Sequence, residues 1–325
     1  MTLPDLRTNE NHVEVEYQSE NRYCFGVHRF ALASIALAAL VACSSGTSSS
    51  SSATSSSGRA TISVVTTTTQ LADFARVIGG DRVSVYGVLK ANVDPHDYEP
   101  SPADVDALAK ADVVVENGIG LEKWFDDTIK SAEPKGSVID ASTGVALRGD
   151  DPHVWHDPTN ASLMVATIAA ALEKADPAGA ADYRRNLAAY QDQLTKLDAE
   201  IKREIDGLTD KKLVTNHDAF GYYVARYGLD YVGSIIPSFD SSAELSAGDI
   251  AALVAKIKAT GTKAIFSESS LPAKTADAIG SEAGVKVVAG PDALYGDTLG
   301  PAGSDGDTYL KMEMHNTKVI VDALR

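Results

Sequence analysis

Residues 178–208 read AGAADYRRNLAAYQDQLTKLDAEIKREIDGL, a stretch without proline and with glycine only near its ends. Apolar side chains recur at Tyr183, Leu187, Tyr190, Leu194, Leu197, Ile201 and Ile205, in steps of three or four that mark one face of an α-helix. At about 1.5 Å per residue, a helix of about 28 residues runs roughly 40 Å. A single small domain has no use for that length, so the segment is read as a strut between two lobes. It holds neither a proline nor a mid-helix glycine at which to bend, and is therefore read as rigid.

On either side of the strut, short β-branched runs alternate with helical patterns. Strands are expected at 61–66, 83–88, 112–116 and 137–140 before it, and at 212–215, 231–235, 263–267 and 285–288 after it. Helices are expected at 70–78, 102–110, 246–258 and 273–283. Such alternation argues for parallel βα units. The fold class expected is α/β: an N-terminal lobe at 59–176, a connecting helix at 177–208 and a C-terminal lobe at 209–325, each lobe a small parallel sheet flanked by helices. A chain of 325 residues is long enough for two such lobes.

The first 60 residues read differently. FALASIALAALVA, residues 30–42, follows His28 and Arg29 and is too short to span a bilayer, but fits the apolar region of a signal peptide. It ends in Leu40-Val41-Ala42-Cys43, which resembles the lipobox of bacterial lipoproteins. That resemblance implies a signal region at 1–42, cleavage before Cys43 and a lipid on its sulfur. The competing reading is a core helix ending in a free cysteine, but the polar low-complexity run at 44–57 follows at once. Residues 43–58 are accordingly read as lipidated cysteine plus flexible Ser-rich tether. Glu10, Glu14, Glu16 and Glu20 are acidic where a signal peptide carries positive charge, so the natural start is expected near Val27. The other cysteine, Cys24, lies upstream of the cut, leaving the mature chain without a disulfide.

A formal charge of −16 argues against nucleic acid, whose phosphates require Lys and Arg, and favours attraction of cations. Of the seven histidines, His12 and His28 fall in the signal region, leaving His96, His153, His156, His217 and His315. His96 follows the strand expected at 83–88, within NVDPHDYEPSP. His153 follows the one at 137–140, within DPHVWHDP, residues 151–158. His217 follows the one at 212–215, within LVTNHDAFGYY. In open α/β sheets, ligands bind beyond the carboxyl ends of the strands. Three imidazoles there, with Asp292 or Asp297 from GPDALYGDTLG, could converge on a divalent metal. Taken singly, each histidine also reads as an ordinary surface residue. The chain has no HExxH and no CxxC pair to decide the matter.

Four stretches together are more specific. DPHDYEPSPADVDALAKADVVVENG (94–118), DPHVWHDP, NHDAFGYYVARYGL (216–229) and the closing LYGDTLG and GDTYLKMEMHNTKVI resemble, in order, the zinc/manganese-binding receptor proteins of bacterial ABC importers, which in Gram-positive bacteria are lipoproteins. The likeness runs from about residue 60 to the end. It implies a metal in the cleft between the lobes, with His96, His153, His217 and Asp297 as ligands. It also implies delivery of the ion to a membrane permease with its cytoplasmic ATPase, from the extracytoplasmic face of the cell membrane, by a lipid-anchored monomer that is not an enzyme.

His156 falls where the resemblance would place an apolar residue, often leucine, and is expected to be exposed or to support a ligand from outside the metal shell. Glu268, in IFSESS, is either an acceptor for a ligand histidine or a solvated strand-end charge. Trp155, Phe220 and Tyr222 are expected to pack, and His315 to face solvent. Three imidazoles and a carboxylate favour Zn2+ over Mn2+ by ligand type, and histidine at 217 points the same way. The stretch before His153, STGVALRGDD, is short and lacks the histidines that zinc-specific relatives often carry there, so Mn2+ remains open. Two other functions carry weight here: a zinc hydrolase, which would keep an open coordination position, and a surface adhesin.

Overall fold

The computed structural model describes residues 61–325. The expected signal region, Cys43, the tether and the proposed start near Val27 lie outside the described residues.

The N-terminal lobe is built on β1 (Ile62–Thr66), β2 (Val83–Gly87), β3 (Val113–Glu116) and β4 (Ser137–Asp140), all parallel in the order β2-β1-β3-β4. Composition follows position in the sheet. Central β3 is VVVE with its three valines fully buried, whereas edge β4 leaves Val138 at 39% exposure. The crossovers are α1 (Thr69–Gly79), α2 (Pro102–Lys110) and α3 (Phe125–Ala132). The start of α2 is fixed by Pro102 in its first turn and by a reciprocal cap between Ser101 and Asp104. Asp104 also accepts from the hydroxyls of Tyr86 and Tyr98, both at 2.8 Å, which ties the loop carrying His96 to the helix behind it.

Two helices then lead out of this lobe: α4 (Pro158–Ala175) and α5 (Ala180–Asp206). α5 is the expected strut, 27 residues long, and Tyr183, Tyr190, Leu194, Leu197, Ile201 and Ile205 of its apolar stripe are buried. It packs on α1 and α4 at one end and on two C-terminal helices at the other, α6 (Gly221–Tyr227) and α9 (Tyr309–Leu324).

The C-terminal lobe carries β5 (Lys212–His217) paired in parallel with β6 (Asp230–Ile236), and β7 (Ala264–Phe266) paired in parallel with β8 (Lys286–Val288). Helices α7 (Ala247–Thr260) and α8 (Lys274–Ala283) flank them. α9 closes the chain by returning to the first lobe. The Tyr309 N–H donates to Asp73 on α1 at 2.9 Å, and its ring meets Phe74 at 4.9 Å. One apolar core therefore runs through both lobes, from Val64 and Phe74 past Trp155 and Tyr190 to Phe266 and Met312, with a smaller cluster outside it on each side.

The eight strands form within two residues of their expected ends. Two helices were not anticipated: α3 and α4. α4, PTNASLMVATIAAALEKA, begins on the last residue of DPHVWHDP, with Asp157 as its cap and Pro158 in its first turn. Its run of alanines carries little periodic contrast, which hid it.

Candidate metal centre

Each of the four expected residues arrives from a strand end. His96 sits in the loop after β2, and its N–H donates to Asp94 Oδ1 at 2.9 Å. His153 stands between β4 and α4, and His217 is the last residue of β5. Asp297 lies in the turn after β8. Three are wholly buried, and His96 is 7% exposed.

The outward nitrogens of two rings are already spoken for. His153 Nδ1 lies 2.8 Å from Asp151 Oδ1, and His217 Nδ1 lies 2.8 Å from Glu268 Oε1. Each carboxylate accepts Nδ1–H, which fixes the tautomer and turns Nε2 inward. In the centre, Asp297 stands 3.3 Å from His153 Nε2, 3.3 Å from His217 Nε2 and 3.6 Å from His96 Nε2. The two Nε2 atoms of His153 and His217 are 3.4 Å apart. His96 Nε2 and both Asp297 oxygens lack a hydrogen-bond partner although buried. Donor atoms of all four side chains lie within 4.8 Å of one another.

Such a cluster is unfavourable without a cation. A tetrahedral ion with bonds of about 2.0–2.1 Å sets its ligands roughly 3.4 Å apart, close to the spacing among His153 Nε2, His217 Nε2 and Asp297. Electrostatics agree. Burial pushes the His96 pKa down. Burial acts the same way on His153 and His217, but Asp151 and Asp297 outweigh it at His153, and Glu268 and Asp297 at His217, so both are raised, His217 well above the usual imidazole range. Burial opposes ionisation of Asp297, yet the His217 and His153 rings hold it well below the usual carboxylate range. The site is built to hold positive charge against a fixed carboxylate.

The chain is similar to known metal-uptake proteins. The family described as zinc-uptake complex component A, periplasmic, matches residues 64–323. The chain belongs to this family. It is 32% identical to the manganese ABC transporter substrate-binding lipoprotein PsaA of Streptococcus pneumoniae, over 90% of this chain and 97% of that protein. It is 30% identical to the iron ABC transporter substrate-binding lipoprotein MtsA of Streptococcus pyogenes serotype M1, over 90% of this chain and 96% of that one. Among solved structures, the periplasmic zinc-binding protein TroA of Treponema pallidum superposes with a TM-score of 0.75 at 32% identity, covering 81% of this chain and 99% of its own.

Several neighbours of the site differ from their sequence reading. His156 is fully buried, not exposed: its ring stacks on Phe220 at 4.5 Å and sits between Glu313 and the Gly296 carbonyl. His315 is half-buried rather than solvent-facing, donating through Nε2 to the Ala293 carbonyl at 3.0 Å. Asp292 is exposed and takes no part in the cluster, leaving Asp297 as the carboxylate. Glu268 is the acceptor for His217 rather than a solvated charge. Trp155, Phe220 and Tyr222 pack as expected, and Trp155 Nε1 also donates to the Gly296 carbonyl at 3.2 Å.

Asp151 was missed. A signal for it existed: DPH occurs twice, at 94–96 and 151–153, and in both the aspartate accepts the N–H of the histidine two residues on, at 2.9 and 3.0 Å. Proline between them sets this turn. At 151 the same oxygen reaches the ring as well.

Proposed function

We propose that His96, His153, His217 and Asp297 bind one divalent ion, with Zn2+ preferred and Mn2+ admitted more weakly. The chain is a metal-binding receptor of an ABC importer, and proteins of this kind work with a permease and its ATPase. The observation that carries the ligand assignment is the convergence of three Nε2 atoms on one buried carboxylate, at 3.3–3.6 Å, with His96 Nε2 and both Asp297 oxygens left without a hydrogen-bond partner. Three nitrogens and one oxygen suit zinc better than an oxygen-preferring ion. The relatives named for manganese, iron and zinc are about equally similar, so the preference rests on the donor set.

Four protein donors complete a tetrahedral shell, which suits a carrier and leaves no position for the water that a zinc hydrolase activates. Substrate-binding proteins of importers are not enzymes. Attachment through a lipid on Cys43, with the folded part on the extracytoplasmic face as a monomer, is supported by the lipobox-like run at 40–43 and by relatives named as lipoproteins.

The test is elemental analysis of the purified protein followed by competitive titration with Zn2+ and Mn2+. One equivalent of metal and tighter zinc binding are expected. Alanine at His153, His217 or Asp297 should each abolish stoichiometric capture. A variant lacking one of these side chains that still binds as tightly as the parent would remove that residue from the set.

A further inference from the structure

His156 contributes no donor to the cluster, yet it is fully buried with both ring nitrogens engaged. Nδ1 lies 2.9 Å from Glu313 Oε1 on α9, and Nε2 lies 3.1 Å from the Gly296 carbonyl. Glu313 is equally buried. A carbonyl only accepts, so Nε2 must carry a proton. The proton between Nδ1 and Glu313 then serves either as an imidazolium–carboxylate pair or as a carboxylic acid donating to the ring. In both arrangements Nε2–H points at Gly296.

Gly296 immediately precedes Asp297, and its carbonyl receives the Trp155 indole N–H as well. The residue before it, Tyr295, is held from both sides by Asn316: its N–H donates to Oδ1 and its carbonyl accepts from Nδ2, each at 2.8 Å. Asn316 lies one turn beyond Glu313 on α9. The turn carrying Asp297 is therefore hung from α9 and from the 155–156 segment. A buried His–Glu pair is a poor way to gain stability, since a well-packed apolar pair of similar size is as good or better. Only the polar pair can give Gly296 a second, directed donor.

We propose that His156, oriented by Glu313, is a positioning residue for the metal site: by clamping the Gly296 carbonyl it aims the Asp297 carboxylate at the ion. The proposal rests on the reading of Asp297 as a ligand. A carboxylate free to swing by a fraction of an ångström gives up part of its bond to the metal, the usual consequence of a lost outer support.

The decisive variant is the double change His156→Leu with Glu313→Met, which removes both buried polar groups together and keeps the volume apolar. In full-length protein, zinc affinity by chelator competition and the visible spectrum of the Co2+-loaded form are measured beside the melting temperature of the metal-free form. The expected result is a melting temperature at or above the parent's, affinity lower by about tenfold, at the small end of outer-shell effects, and a changed Co2+ spectrum. Parent affinity with the parent spectrum would overturn the proposal and leave the pair a packing feature. Should the double variant not fold, His156→Gln and His156→Met replace it. They are similar in size, but only the glutamine amide can donate to Gly296. Loss of affinity in the Met variant alone supports the proposal, and equal affinity in the two overturns it. Asp297→Ala, run alongside, keeps the two ideas apart: unimpaired capture there defeats the ligand assignment itself, whatever His156 does.

Discussion

Glu268 Oε1 accepts both the backbone N–H of His217, at 3.2 Å, and its ring Nδ1–H, at 2.8 Å. One oxygen thus fixes where the β5 end sits and which way its ring faces. The other oxygen, Oε2, is buried without a partner and packs where a side chain on Gly296 would have to go. Glu268 consequently touches the supports of two proposed ligands, His217 and Asp297, at once. Glu268→Ala should weaken zinc binding by about 10–100-fold, the range for removal of an outer-shell acceptor. Gly296→Ala should act in the same direction, because its methyl group displaces the carboxylate. The two losses are expected not to add in a double-mutant cycle followed by chelator competition. Additive losses would mean that the two residues act on the site independently.

Proton competition sets the pH response of capture. In the metal-free site the His153 and His217 pKa values are raised, so protons occupy the inward nitrogens at pH values where a free imidazole, with a pKa of about 6.5, has lost its own. Metal must displace them. Zinc affinity should therefore fall as pH drops, and the fall should begin at a higher pH than a free imidazole would set. Stability follows the same logic. A raised folded pKa contributes stability to the metal-free form that is complete below about pH 6.5 and lost as pH rises through the folded value. The melting-temperature gain on adding zinc should accordingly grow from pH 5.5 to pH 8. Calorimetric titrations in buffers of different ionisation enthalpy count the protons released; none released at pH 6.5 would contradict this account.

Much of the fold could be read from the chain because its signals are local. Alternating β-branched runs gave the strands, and the three-or-four step of Tyr183 to Ile205 gave α5. The four clustered side chains could be placed because strand ends in α/β sheets collect ligands and the motifs are distinctive. What escaped is long-range. Glu313 lies 157 residues from His156, and nothing near either one announces the other. His156 could be read from its proline-flanked turn either as exposed or as an outer support; the stack on Phe220 and the return of α9 bury it. Likewise, the single core shared by the lobes depends on α9 packing against α1, a contact more than 200 residues apart in sequence.

Glu116, at the end of β3, carries a cost that grows with pH. Burial, with the nearby carboxylates of Glu122, Asp140 and Asp126, raises its pKa from 4.5 to about 7. A folded pKa above the unfolded one means that the protonated carboxyl favours folding below about pH 4.5 and that this advantage is lost as pH rises through about 7. The side chain is only half-buried, so solvent screening reduces the full linkage energy to about 1–2 kcal/mol. Glu116→Gln should raise the melting temperature by several degrees at pH 8 and leave it nearly unchanged at pH 5. An equal rise at both values would locate the effect in packing, not in charge.

Beside the site, the segment between β6 and α7 reaches from the C-terminal lobe to the N-terminal one. Ser241 Oγ donates to Asp94 Oδ2 at 2.5 Å, and Asp240 pairs with Lys123. Between these anchors and β6, the Phe239 ring lies 6.5 Å from that of His153. Asp94 Oδ1 meanwhile accepts the N–H of His96, so the strap is fastened to the loop that carries this proposed ligand. With α5 an unbroken helix and the core continuous, entry and exit of the ion are expected to rely on local movement of such segments rather than on hinge closure. Asp240 ionises at about 2, burial opposing and Lys123 favouring the charge, so the ion pair holds throughout the neutral range. The exposed Asp240–Lys123 pair contributes about 0.5–1 kcal/mol and the part-buried Ser241–Asp94 bond about 1 kcal/mol, so removing both should favour the open strap by roughly 1–2 kcal/mol, or about 5–30-fold. In Asp240→Ala with Ser241→Ala, stopped-flow transfer of zinc to a chelator should speed up by that factor, with capture accelerated in step and the equilibrium affinity little altered. If transfer kept the parent rate while affinity fell, these residues would be shaping the bound site and not gating it.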